Sequence, residues 1–203
     1  MAYRSSLAAR QALVQVAQGQ GGYVTAAQAR EAGYGPQHLT YHVRAGNLER
    51  VGHGLYRMPE LPPDENDDLV RLALWSRDRS GRPQAVASHQ TALALRELSD
   101  VLPRKLHLSV PPTFRKPAPR GCVLHRAVLP DGDCEAWTVF SVTKPLRTLC
   151  DVASGRGVPM EQLELAVGQA LQRGLVRHRQ LRQASAKPGR ERLAEAFDRA
   201  TAG

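Results

Sequence analysis

The sequence predicts an α+β fold in two parts, an N-terminal winged helix-turn-helix followed by a mixed domain in which helices cover a small sheet. Three observations predict it. The first 58 residues read as helix, short helix, turn, helix and a glycine-centred hairpin. Short alternating runs of β character follow between residues 85 and 141. Apolar stripes of helical period then close the chain.

The first helix spans Ser5 to about Gln18, with Ala9, Leu13, Val16 and Ala17 on one face, and Gly19-Gln20-Gly21-Gly22 ends it. Thr25-Ala26-Ala27-Gln28 has the pattern of a capping box, so a second, short helix starts there and stops at Gly33. Pro36 suits the first position of a third helix, because a proline lacks an N–H that would have no partner there. That helix runs to Ala45 and stops at Gly46, with Leu39 and Val43 facing inward. At about 100° per residue, Gln37, Tyr41 and Arg44 gather on the opposite face with Thr40 and His38 at its margins, and no carboxylate falls among them. Two β-prone runs around Gly52-His53-Gly54 make the wing.

Further along, Asp67 to about Arg79 is helical, Ala85–Ala87 is a short strand, and Ser88 caps a helix through about Leu98. Lys105–Val110, Cys122–Leu129 and Trp137–Ser141 read as strands, with a turn at Asp131-Gly132. Thr143-Lys144-Pro145 opens a helix striped by Leu146, Leu149, Cys150 and Ala153. Residues 160–173 form another, and Leu193, Phe197 and Ala200 mark the last. The expected domains are 1–58, an acidic proline-rich linker at 59–66, and 67–203.

The 203 residues carry a formal charge of +9, with Arg outnumbering Lys 24 to 4. It is unevenly placed: +4 over residues 1–58, −3 over 59–100, +5 over 101–158 and +3 over 159–203. Positive excess on both sides of an acidic block points to a polyanionic partner, nucleic acid first. In the winged-helix docking geometry Gln37, Tyr41 and Arg44 would read base edges. Thr25, Thr40, Arg50, His53 and Arg57 would hold phosphates, with His38 beside them. Arg104, Lys105, Arg115, Lys116 and Arg120, around a proline-rich loop, are candidates for further phosphate contacts.

Other chemistries find little support. No run of apolar residues is long enough to cross a membrane, and the first helix is too polar for a secretory leader, so a cytoplasmic protein is expected. Cys122, Cys134 and Cys150 have neither disulfide-framework nor zinc spacing, and no cofactor or metal is expected. Ser88-His89 has the residues of a nucleophile and its base, but helical neighbours point about 100° apart, so a helix cap is expected instead. Asp131-x-Asp133 reads as a solvated turn, Arg147 and Asp151 as an i, i+4 pair, and Cys150 as a buried thiol. His107 and His125 are placed to face one another across the sheet but read as ordinary core or surface histidines. There is no phosphate-cradling glycine loop and no dinucleotide fingerprint.

Four stretches in order carry a family resemblance: Gly22-Tyr23-Val24-Thr25-Ala26-Ala27-Gln28-Ala29 with Gly33, Gly46 to Arg57, Ala87-Ser88-His89-Gln90-Thr91-Ala92-Leu93, and Val142 to Asp151. In these the chain resembles the AbiEi-type antitoxins of bacterial abortive-infection (type IV toxin–antitoxin) systems. The resemblance implies a winged helix that binds double-stranded operator DNA and represses its own toxin–antitoxin operon. It also implies a C-terminal domain that opposes a nucleotidyltransferase-like toxin without stable direct binding. Some related chains continue into a nuclease-like domain. This sequence has no carboxylate–lysine nuclease signature, so no enzymatic activity is expected. The alternative reading is a protein-interaction module that neutralises a toxin by direct contact, with an enzyme acting on nucleic acid a third.

Overall fold

The computed structural model describes residues 6–202, and the chain forms two compact units. One reaches to Pro83 and takes in Thr138–Phe140; the other comprises Gln84–Trp137 and the chain from Ser141 onward. The expected helix start at Ser5 lies outside the described residues.

The first unit contains α1 (Ser6–Gln18), β1 (Tyr23–Thr25), α2 (Ala26–Glu31), α3 (Pro36–Arg44), β2 (Glu49–Gly52), β3 (Leu55–Arg57) and α4 (Asp67–Ser76). The winged-helix order predicted from sequence is present, with one addition. The wing is a three-stranded sheet ordered β1-β3-β2, because Tyr23–Thr25 pairs antiparallel with Leu55–Arg57. Ala9, Leu13 and Ala17 of α1 pack with Val24, Ala29, Ala32, Tyr34, Leu39, Leu48 and Met58 to form the core. The capping box of α2 is complete: Thr25 Oγ1 accepts from Gln28 N–H at 3.2 Å, and Gln28 Oε1 accepts from Thr25 N–H at 2.9 Å. Gly33 and Gly46, at φ +104° and +76°, take the left-handed conformation where α2 and α3 stop.

The acidic 59–66 stretch is not a linker between the units. Arg10 pairs with Glu60 at 3.1 Å, Leu61 backs onto the core, and the Arg57 guanidinium donates to Leu61 O at 3.1 Å. Tyr23 OH then donates to Asp67 Oδ2 at 2.7 Å, which ties the start of α4 to β1. Burial and the Asp67 carboxylate push the Tyr23 phenol up to about 12, so it stays a donor. The compact division thus falls after Pro83, and α4, expected in the second domain, groups with the first.

The second unit holds β4 (Val86–Ala87), α5 (His89–Leu95), β5 (Leu106–Val110), β6 (Cys122–Arg126), β7 (Cys134–Trp137), α6 (Pro145–Ala153), α7 (Met160–Gln172), α8 (His178–Ser185) and α9 (Glu191–Ala202). With β8 (Phe140–Thr143) the strands form a five-stranded sheet ordered β6-β5-β4-β8-β7. β4 runs antiparallel to β5 and parallel to β8, and β5 runs parallel to β6. The expected strand Trp137–Ser141 is two short strands, β7 and β8. Leu149, Leu163, Leu181 and Leu193, all fully buried and one from each of α6 to α9, centre the helical core.

Leu13 is 1% exposed and sits in the middle of the α1 stripe. Leu13→Ala removes its methyl groups and leaves a cavity, so the substitution is expected to destabilise the first unit by about 2–5 kcal/mol. Urea unfolding of the whole chain measures this, and a midpoint equal to wild type would contradict the packing described.

Candidate nucleic-acid interface

The third helix is held by one apolar residue and by its ends. Only Leu39 of α3 is buried, with Val43 half-buried against the same core. Pro36 stands at the first turn, and at the other end His42 O accepts from the N–H groups of Asn47 and Leu48 at 2.9 and 3.1 Å. The His42 ring lies between the rings of Tyr34 and Tyr41, with centroids 5.2 and 5.3 Å away, and the Asn47 amide faces its Nδ1 at 3.2 Å. Burial, with His38 and Arg10 adding to it, holds His42 below the usual imidazole range, so Nδ1 is suited to accept.

With Leu39 turned in, Gln37, His38, Thr40, Tyr41 and Arg44 are exposed; Tyr41 is 66% accessible. This face carries hydrogen-bonding groups and positive charge and no carboxylate, the chemistry that base edges and phosphates require. Thr40 hydroxyl already donates to Pro36 O at 3.0 Å, which leaves its oxygen lone pairs outward. In the wing, Arg50 and His53 are exposed, beside a bulge between Arg50 and Gly52. Gly54, at φ +63°, lets the turn close, and its carbonyl accepts from Ala26 N–H at 2.8 Å.

Two of the residues expected on phosphates are engaged within the fold. Thr25 caps α2, its hydroxyl bonded to Gln28, and Arg57 is half-buried at the base of the wing with its guanidinium on Leu61 O. Thr25 has the capping partner its sequence pattern predicts, whereas the Leu61 carbonyl that holds Arg57 has no local signal in the sequence. In the second unit Arg104, Lys105, Arg115, Lys116 and Arg120 are all exposed, on and beside a loop anchored by the buried Phe114.

In the second unit the two facing strand histidines are joined by a third. His89 stacks on His125 with centroids 3.6 Å apart and planes 13° from parallel, and His107 Nδ1 meets His125 Nε2 at 3.0 Å. Ser88 stands at the start of α5, but its hydroxyl makes no capping bond. It meets His89 Nδ1 at 3.0 Å and accepts from Ser109 hydroxyl at 2.9 Å. The geometric objection to a Ser88–His89 contact fails because His89 has φ +50°, a left-handed backbone that swings its ring toward Ser88. Ser88 is fully buried, and its hydroxyl is placed to orient the imidazole. The mutual facing of strand histidines was the available signal; His89 joining them depended on its backbone. Among the described residues no group of three His, Cys, Asp or Glu is arranged to hold a metal ion, and no helix is long and apolar enough to cross a membrane.

All three cluster histidines are held below the usual range by burial, and His89, with His125 and His107 adjacent, falls to about 3. A histidine depressed in the folded state is protonated first in the unfolded chain. Its contribution to stability is therefore complete above about pH 6.5 and declines as pH falls toward the folded value. The melting temperature is expected to drop between pH 7.5 and 5, and His89→Asn, which tolerates the left-handed backbone, should flatten that drop. An identical pH profile in the variant would exclude His89 as a contributor.

Residues 11–59, the segment that contains α3 and the wing, match the family model described as a transcriptional regulator, AbiEi antitoxin. Among solved structures, the crystal structure of RV2827C protein from Mycobacterium tuberculosis aligns with a TM-score of 0.64 at 17% identity, over 98% of this chain and 79% of that one. It shares the fold. No curated protein matches the chain significantly.

Proposed function

We propose, from the match of residues 11–59 to the AbiEi antitoxin regulator model, that the chain is a sequence-specific DNA-binding repressor of antitoxin type. It represses its own operon and opposes a nucleotidyltransferase-like toxin without stably binding it. One observation carries the reading: α3 rests on Leu39 and turns Gln37, Tyr41 and Arg44 outward with no carboxylate between them. That face enters the major groove, where Arg44 and Gln37 pair with base edges and Tyr41 packs against them. Arg50 and His53 in the wing, with His38 and Thr40 on the margins of α3, hold the flanking phosphates. Thr25 and Arg57 act on the DNA only by keeping α2 and the wing in place.

Base-edge and phosphate contacts differ in what their loss does. Arg44→Ala is expected to cost about 1–3 kcal/mol at the operator and to relax sequence preference. Arg50→Ala is expected to weaken all duplexes alike and to reduce the salt slope by about 1. Gel-shift titrations on the DNA upstream of the gene, at two salt concentrations, separate the two effects. Wild-type binding by both variants would remove the assignment. Co-purification with a toxin in the absence of any duplex binding would favour silencing by direct contact.

A further inference from the structure

A cleft of about 470 Å³ opens within the second unit. The first turn of α6 lines it with Leu146 and Arg147, and Lys144 stands just before that turn. Leu175 precedes α8, Ala184 belongs to α8, and Lys187 and Arg190 follow in the stretch before α9. The walls therefore come from parts of the chain some thirty to forty residues apart, brought together by the helical core.

Two chemistries meet in these walls. Leu146, Leu175 and Ala184 supply apolar surface, and Leu175 keeps 39% exposure there. Lys144, Arg147, Lys187 and Arg190 supply positive charge against one lining carboxylate, Asp133. That carboxylate is already committed, since Asp133 Oδ2 accepts from Arg147 Nη1 at 2.9 Å. Arg147 Nε donates to Asp151 Oδ1 at 2.8 Å, so its guanidinium is fixed between two acids. Arg190 gives Nη1 to Cys150 O and to Ser154 Oγ and so braces the end of α6.

The two lysines differ from the arginines. Both are exposed, and neither forms an ion pair with a carboxylate among the described residues. Glu135, whose carboxyl feels the charge of Lys144, is held by Arg96 at 2.8 Å. Uncommitted ammonium groups from two elements, on one concave site with apolar walls, suit a small amphiphilic anion. Ammonium is a point-charge partner for phosphate, and the leucines suit a flat, weakly polar body. The volume falls in the range of clefts that hold small ligands, and a concavity of this kind does not fit the convex rod of a duplex.

We propose that this cleft binds a small organic phosphate of nucleotide type, with Lys144 and Lys187 on its phosphate groups and Leu146 and Leu175 against its base. The site lies within the second unit, and failure of the DNA-binding reading would leave it standing.

Calorimetric titration of the full chain with ATP, in buffer without magnesium, is expected to give a Kd below about 1 mM. The melting temperature should rise as ATP is added. Adenosine keeps the base and lacks the phosphates, and should bind at least about tenfold more weakly. Lys144→Gln with Lys187→Gln should weaken ATP binding about tenfold, and both side chains are exposed, so their loss spares the core. Arg79→Gln with Arg82→Gln removes the same charge from the first unit and should leave ATP binding unchanged. Leu175→Ala should weaken ATP about threefold and leave pyrophosphate binding at its wild-type level. The proposal is overturned if ATP does not bind at about 1 mM, or if adenosine binds as tightly as ATP. It is equally overturned if the two charge variants behave alike, or if Leu175→Ala weakens pyrophosphate as much as ATP.

Discussion

Leu39 is the sole buried residue of a nine-residue helix, and the placement of α3 depends on it. Such a short helix gains little from its own backbone hydrogen bonds, so packing must fix it. A single apolar contact leaves rotation about the helix axis open. The ends close that freedom: Pro36 sets the entry, and His42 O collects two N–H donors from the chain that leaves. His42 also carries the ring contacts to Tyr34 and Tyr41. The outward polar face is therefore a consequence of where one leucine and one histidine are held.

The two units handle their excess of arginine differently. In the first, Arg10 and Arg57 bind the acidic 59–66 stretch to the winged helix, so the block of negative charge becomes part of that unit's frame. In the second, arginines tie separate stretches of chain together through backbone carbonyls. Arg96 donates to Thr143 O at 2.8 Å, and Arg192 to Val158 O at 2.7 Å.

Elements with local signals were legible in sequence, and those built from tertiary contacts were not. The capping box at Thr25, Pro36 with Gly46, and the glycine hairpin placed α2, α3 and the wing within a residue or two. β1 escaped notice because three residues are too few for an alternation, and only pairing with Leu55–Arg57 defines it. α8 escaped because Leu181 and Ala184 are its only buried positions among polar neighbours. The linker reading of 59–66 followed from composition, which does not reveal that Glu60 meets Arg10. In the candidate interface, exposure of Gln37, Tyr41 and Arg44 followed from helical period. The inward turn of Arg57 did not, since strand register and the path of residue 61 decide it. His89 is the sharpest case: a left-handed backbone at a non-glycine residue leaves no trace in the pattern of neighbours.

The bond from Ala26 N–H to Gly54 O joins the wing's turn to the first residue of α2. Helix pair and hairpin thus travel as a single rigid tool with one set span. A duplex held at both points has no slack: one inserted base pair displaces the distal contacts by about 3.4 Å along the axis and turns them around it. On the proposed function, operator variants of altered length should be rejected even where every individual base match survives.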